Sequence, residues 1–579
     1  MRGLPGTSVT FRDGRFVLVG RARTRCYAAP AVRIPLGLFA FALVVRAILI
    51  ALYPDPAYPD AYYYVDVARA LHAGQGFNVD FIWAFVETGG VLPADPHLPI
   101  PSNAHWLPLA SLIQLPFMAV LGTAAWVSDI PFALIGSTVA PLTWFIARDM
   151  GVRPSIAIGA ALMAAVPAAT TVFFGQPDNF SIYEPLGAAA IWMGTRALRG
   201  DRRAMPVAGL LVGFASLARN DGILIGAALA LVFLWDRWRA WRSTLGREPA
   251  IPWWGAIASF ALFLVVVGPW WLRQLSVFGS ISPSSSNGKI LFIRSVTEMN
   301  SIDTPATLQY FLGQGIGPLL ASRALGFIAA IGNYSIIVLS FVLTPFLLIG
   351  GWMQRRSVHF RVFFIYAGLL FAASGLLFAV HVPLGTFLHS AVALIPHTYI
   401  LVLEGVAACI VWIAARRPKW NEAEATRFFL SAAVGIAFVT GALGAWKVQE
   451  EWNTERHDRQ QAAIALDGPL HVGAGELLMD GDTSGFKYFT GRGGVVTVSD
   501  PIDTVGRVAR AYGVRWLILE RWHISDALIP VIEGKVRPSW VGPPAWSLDE
   551  TPQADATDTS PDIAIYPVCF APDDTRCAP

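Results

Sequence analysis

Long apolar stretches alternate with short basic clusters along most of the chain, and that alternation predicts a polytopic membrane protein. The first stretch is residues 34–53, IPLGLFAFALVVRAILIALY. Such a helix rises about 30 Å, enough to cross the hydrocarbon core of a bilayer. No small-residue cleavage site follows it, so it reads as an uncleaved span and not a secretory signal. Residues 1–33 hold seven arginines and one acid, which places them in the cytoplasm by the positive-inside rule. Residues 54–105 are then external, and too rich in Pro, Asp and Tyr to face lipid.

The next inner marker is Arg148 with Arg153. An odd number of crossings must separate it from the N-terminus, so one span is expected at 127–147. The segment from Trp106 to Gly122 then reads as an interfacial helix on the outer surface. Residues 154–173 go out, and 181–197 return to Arg199, Arg202 and Arg203. Between these and the basic run 237–247, an apolar stretch is interrupted at Arg219-Asn220-Asp221-Gly222. Both flanks are basic, so two short helices are expected. Their polar apex must be buried in protein or line a water-filled cavity. Residues 252–272 form a span with tryptophan pairs at both ends, an aromatic belt. A second outer loop, 274–324, precedes spans at 326–350, 360–380, 391–413 and 428–446. The total is about eleven membrane segments, with the N-terminus cytoplasmic and the C-terminus outside.

Periodicity changes after residue 446. The alternating run GGVVTV (493–498), the helical pattern PIDTVGRVARAYG and the apolar run VRWLILE follow in order. Strand, helix, strand suggests a small α/β domain. From Asp549 to Arg576 there are seven acids and one arginine, so part of this segment is expected to be a disordered tail. Cys569 and Cys577 both lie in the outer region and could pair; Cys26 and Cys409 lie on or near the cytoplasmic side. The expected fold is therefore an all-α polytopic membrane domain, residues 34–446 with outer loops 54–126 and 274–324, preceded by a basic cytoplasmic segment, 1–33. A small extracytoplasmic α/β domain, 447–579, follows.

Composition agrees: 54% of the 579 residues are hydrophobic, only 14% are charged, and mean hydropathy is +0.51. Globular domains carry about 25% charged residues, so a disordered chain is excluded and the composition argues against a large soluble enzyme with a single apolar core. A net charge of +3 gives no sign of nucleic-acid binding. No internal repeat is evident, against the inverted repeats of many secondary transporters.

Candidate chemistry gathers at the outer boundary. Asp60, in PDAYYYVDVARAL, sits at the outer mouth of the first span, followed by Tyr62, Tyr63 and Tyr64. A carboxylate there can take a proton from an acceptor hydroxyl; the plainer reading is a helix cap. Asp178, in GQPDNF, reads either as a turn residue or as a functional acid. Glu184 starts the next span and suits a helix N-terminus. Arg273 ends the tryptophan-flanked span, where it can snorkel or grip a phosphate. Arg219 and Asp221 form either a self-satisfied pair or a site. Lys289 and Arg294 are further phosphate candidates. His381, His389 and His397 show no metal-ligand spacing. No metal and no cofactor is expected.

These segments, in this order, resemble the GT-C superfamily of polyprenyl-phosphate-sugar-dependent glycosyltransferases, family 39 in particular. That family includes protein O-mannosyltransferases and lipid A aminoarabinose transferases. The resemblance runs through PDAYYYVDVARALHAGQGF, HWLPLASLIQLPFMAVLG, PDNF, GLLVGFASLARNDGILI, PWWLRQLSVFGS and FKYFTGRGGVVTV. It implies that Asp60 is the catalytic base and Asp178 a second functional acid. It implies that Arg219 and Arg273 line a donor cavity. Tyr62, Tyr63, Glu184 and Lys289 are further substrate-binding candidates from their places along the chain. The implied partners are a polyprenyl-phosphate sugar, a glycan, lipid or protein acceptor and the membrane lipids. The implied location is the cell membrane. The sequence departs from the aminoarabinose transferases at His105-Trp106, where they have a lysine, and at His389, where many relatives have an Arg-Tyr pair. The alternatives are a lipid or polysaccharide transporter, and a membrane-anchored sensor or assembly protein.

Overall fold

The computed structural model describes residues 8–12, 15–19, 30–243, 248–378, 387–550, 560–571 and 574–577. Cys26, His381, Asp555, Asp558 and four of the N-terminal arginines lie outside the described residues. Two compact units emerge. The first comprises residues 1–52, 129–270 and 324–448, and the second 53–128, 271–323 and 449–579.

The first unit is helical. Among the described residues, seven helices of the chain are long and apolar enough to cross a membrane, or eight when one bent pair counts as a span. That pair is Pro154–Ala165 with Ala168–Gly175, bent by 53°. Pro167 stands at the break and Ala168 has φ +50°; proline removes a backbone donor and kinks the helix. The expected span at 326–350 needs correction. Helix Ile316–Asn333 runs into a π turn, Tyr334–Val338. Ser340 and Phe341 then take positive φ, and a separate helix, Thr344–Gln354, starts with Pro345 in its first turn. The crossing candidate is thus Ile316–Val338.

The interrupted pair is present as Ala204–Ala218 and Gly222–Trp241. The second helix is longer than expected, because the basic Trp-rich run 237–241 continues it. Small residues let the helices approach. A Cβ on Gly405 would stand 2.0 Å from the Phe346 carbonyl, and one on Gly350 2.0 Å from that of Leu401. Helices Thr344–Gln354 and Ile395–Ala414 therefore touch backbone to backbone, as small-residue seams allow in membranes.

The second unit is mixed. Its core is a six-stranded sheet in the order Phe81–Ile82, Gly494–Val496, Leu478–Asp480, Trp516–Glu520, Ile563–Pro567, Trp546–Leu548. The first four strands are parallel and the last two antiparallel. Helices Thr483–Thr490 and Ile502–Tyr512 connect the parallel strands. The strand–helix–strand pattern is thus present, and the first outer loop adds an edge strand to it. The acidic segment is not wholly a tail. Its apolar run Ile563–Pro567 is a fully buried strand, and Asp562 forms an ion pair with Arg521 at 3.2 Å. Cys569 and Cys577 form a disulfide.

Candidate functional site

In the first unit, the polar groups collect where three helix connections lie at the end of the helices away from the basic loops. Asp178 precedes helix Phe180–Leu198 and is fully buried. Its Oδ1 accepts the Asn179 backbone N–H, the local bond that favours Asp at such turns. Its Oδ2 lies 2.9 Å from His389 Nε2. Phe180 stacks on the His389 ring at 3.9 Å between centroids. Asp178 is thus more than a turn residue.

The next residue along extends the network. Ser390 Oγ donates to Asp221 Oδ2 at 2.5 Å, and Arg219 Nη2 donates to the same oxygen at 3.1 Å. Tyr366 donates to the Ser390 carbonyl at 3.0 Å and meets Tyr183 at 3.2 Å. The single turn Leu388–Ala391 therefore links Asp178 to Arg219, two residues that the sequence offered separately. The reading of Arg219 and Asp221 as an ion pair holds, with Ser390 as a third partner. His389, Ser390, Tyr183 and Tyr366 were not in the sequence-based set. The signal for them was weak: an isolated His-Ser and single tyrosines within apolar runs.

Glu184 lies one turn into its helix and is fully buried, with Arg46 of the first span as its electrostatic partner. Arg46 in turn donates to the Ala165 carbonyl. The expectation of an interfacial acid at a helix start is corrected: Glu184 is fully buried inside the bundle.

In the second unit, Asp60 occupies the first turn of helix Pro59–His72, after Pro59, and is half-buried. The cap position belongs to Tyr58, and no side chain caps the helix. A carboxylate in a first turn is favoured by the helix dipole. Tyr62 is buried against Tyr488 and Phe489 at 5.3 and 5.8 Å. Tyr63 donates to Glu87 at 3.0 Å and accepts the Asn103 backbone N–H at 2.7 Å. The Asn103 carbonyl accepts Gln274 at 2.8 Å, whose own amide oxygen accepts Arg273 at 2.7 Å. Arg273 also donates to the Phe77 carbonyl at 3.2 Å. One hydrogen-bonded run therefore joins Tyr63 to Arg273. His105-Trp106 enters the same region, with Trp106 stacked on Trp83 at 3.9 Å.

Lys289 stands apart from that run. Its buried ammonium donates to the Ser301 and Thr304 carbonyls at 2.5 and 2.7 Å, so it staples the second outer loop. Arg294 lies 3.7 Å over the Tyr310 ring. Asp66 is buried 3.9 Å from Arg69.

A fully buried charge cluster was not foreseen. Arg459 donates through Nε and Nη2 to Glu520 at 2.8 and 3.1 Å, and through Nη1 to Asp482 at 2.7 Å. Burial alone would raise the Asp482 carboxyl, but the Arg459 guanidinium, His523 and the hydrogen bonds from Ser484 and the Gly485 N–H together hold it below the ordinary value. The three residues lie 61 and 23 positions apart in sequence, with no local motif to announce them.

Residues 102–271 match the dolichyl-phosphate-mannose-protein mannosyltransferase family. Among solved structures, ArnT from Cupriavidus metallidurans bound to undecaprenyl phosphate is similar over 95% of this chain and 98% of its own, with TM-score 0.51 at 14% identity. The archaeal oligosaccharyltransferase AglB from Archaeoglobus fulgidus, in complex with an inhibitory peptide and a dolichol-phosphate, is similar over 84% of this chain and 69% of its own. Its TM-score is 0.52 at 14% identity. At these identities the likeness concerns the fold. No curated protein matches the chain in sequence.

Proposed function

We propose that this chain, which carries the GT-C glycosyltransferase fold, transfers a sugar from a polyprenyl-phosphate donor to an acceptor hydroxyl on the extracytoplasmic side of the membrane. It is a multi-pass membrane glycosyltransferase. The observation that supports this most is the run from buried Asp178, His389 and Ser390 to part-buried Asp221 and Arg219. Ionisable groups at membrane depth are costly, and they mark places where charge is handled. A phosphate leaving group is such a charge. The lipid phosphates bound to ArnT and to AglB support the same donor class here.

The reaction is an inverting displacement. The acceptor oxygen attacks the anomeric carbon as the bond to the phosphate oxygen breaks. Asp60 takes the acceptor proton. Guanidinium groups, Arg219 and Arg273, offset the charge that grows on the departing lipid phosphate. Asp178 is a second acid whose orientation His389 fixes. A lipid or polysaccharide transporter needs no such base.

The deciding experiment offers purified protein a panel of polyprenyl-phosphate sugars and a panel of nucleotide sugars. Transfer from a lipid-linked donor with inverted anomeric configuration is expected. Transfer from nucleotide sugars alone, or lipid flipping without transfer, overturns the reading.

A further inference from the structure

At the other end of the same helices the first unit holds a cavity of about 320 Å³. Three segments line it: the turn Met150–Ile156, the connection Met353–Phe360, and one face of helix Ile395–Ala414 from Glu404 to Val411. These connections belong to the basic end of the bundle, with Arg148, Arg153, Arg355, Arg356 and Arg361. Helix Ile395–Ala414 separates the cavity from the Asp178 network, because His389 precedes its start and Glu404 and Val411 lie toward its end. The proposed transfer uses none of these residues.

The lining is unusual in carrying both signs of charge. Arg153 is half-buried at the cavity and acts electrostatically on Glu404. Gln354 donates to Glu404 at 2.8 Å, which fixes the carboxylate. His359 has a buried Nδ1 with no hydrogen-bond partner among the described residues. Ser357 adds a hydroxyl. The remaining wall is apolar: Met150, Ile156, Met353, Phe360 and Val411. Neighbouring acids are already satisfied, Asp149 by Arg199 at 2.7 Å and Asp201 by Arg196 at 2.8 Å.

An apolar pocket with a few convergent polar groups is the general form of a small-ligand site, and about 300 Å³ is the small end of that range. One anchored carboxylate with one cation and an unfilled imidazole calls for a zwitterion. A single-sign ligand would meet one part-buried charge of its own sign. The position at the basic end puts the cavity at headgroup depth. We propose that this cavity binds a phosphoethanolamine group. Its phosphate faces Arg153 and His359, its ammonium faces Glu404, and the apolar wall takes the start of an acyl chain. The site goes beyond the transfer reaction and does not depend on it.

The test uses full-length protein delipidated in detergent and returned to nanodiscs of phosphatidylethanolamine, phosphatidylcholine or phosphatidylglycerol, with retained lipid counted by native mass spectrometry. Soluble phosphoethanolamine and inorganic phosphate serve as competitors. Wild type is expected to retain about one phosphatidylethanolamine, with phosphatidylglycerol and phosphatidylcholine held at least about tenfold less well. Arg153→Gln and Glu404→Gln should each weaken retention by about tenfold, the scale of one charge-assisted bond. Ala408→Leu narrows the cavity without touching a charge and should also release the lipid, while Asp178→Asn should keep it. Displacement by soluble phosphoethanolamine at micromolar levels identifies a water-soluble ligand as the source; displacement only by lipid identifies the membrane. Equal retention of all three lipids, or full retention by Arg153→Gln, Glu404→Gln and Ala408→Leu, refutes the site.

Discussion

His389 Nε2 lies 2.9 Å from Asp178 Oδ2, with both side chains buried and Phe180 stacked on the imidazole. A buried carboxylate that loses its donor costs about 1–3 kcal/mol. His389→Ala should therefore lower Tm in detergent and cut transfer at least about tenfold. His389→Gln can still donate one N–H and should recover part of both. Transfer unaffected in His389→Ala would remove the pair from the mechanism.

Asp60 is the proposed base. Loss of a positioned general base costs about 10²–10⁴-fold in rate. Asp60→Asn should show that loss in the transfer assay, with unchanged membrane insertion and Tm. Near-normal turnover in this variant would assign the proton to another group.

The Arg459 cluster is structural. Removing one partner of a buried ion pair costs about 3–5 kcal/mol. Arg459→Met leaves Asp482 and Glu520 facing each other, and should unfold the second unit first. Limited proteolysis should then cut between residues 470 and 550 while the helical unit stays intact. Cleavage patterns identical to wild type would contradict this.

Two carboxyls make the second unit sensitive to base. Burial pushes Asp66 and Glu87 up to about 8, against about 4 in an unfolded chain. Between those values the folded protein binds more protons than the unfolded one, so stability falls as pH rises from about 4 to 8 and levels off above. Tm should drop from pH 5 to pH 8, and the drop should shrink in Asp66→Asn with Glu87→Gln. A double variant as steep as wild type would place the titration elsewhere.

Gly405 has no room for a side chain, because a Cβ would stand 2.0 Å from the Phe346 carbonyl. Gly405→Val should force the two helices apart and cost about 1–3 kcal/mol, read as a lower Tm and reduced yield of folded protein.

Much of this fold is legible in the sequence because lipid imposes a strong rule: apolar stretches of about 20 residues separated by basic clusters. The rule fails where backbone conformation intervenes. Pro167 bends one span, and the positive φ angles of Ser340 and Phe341 end another. The α/β pattern at 493–520 is local and was visible, whereas the strand Phe81–Ile82 is only two residues long and gains its identity from a distant partner. The candidate site divides in the same way. Asp178 and Arg219 stand out as polar residues within apolar surroundings. His389 and Ser390 take their meaning from partners 211 and 169 residues away, which no spacing in one sequence can reveal.

That distant strand has a consequence for biogenesis. Phe81 pairs with Gly494 and Ile82 with Val495, so one edge of the sheet is made long before its neighbour exists. At about 5–20 residues per second, the ribosome needs roughly 20 to 80 s to reach the partner. Throughout that interval the backbone groups of an apolar Phe-Ile edge stay unpaired. Slowing synthesis between residues 100 and 480 should therefore reduce the yield of folded protein more than slowing it anywhere else.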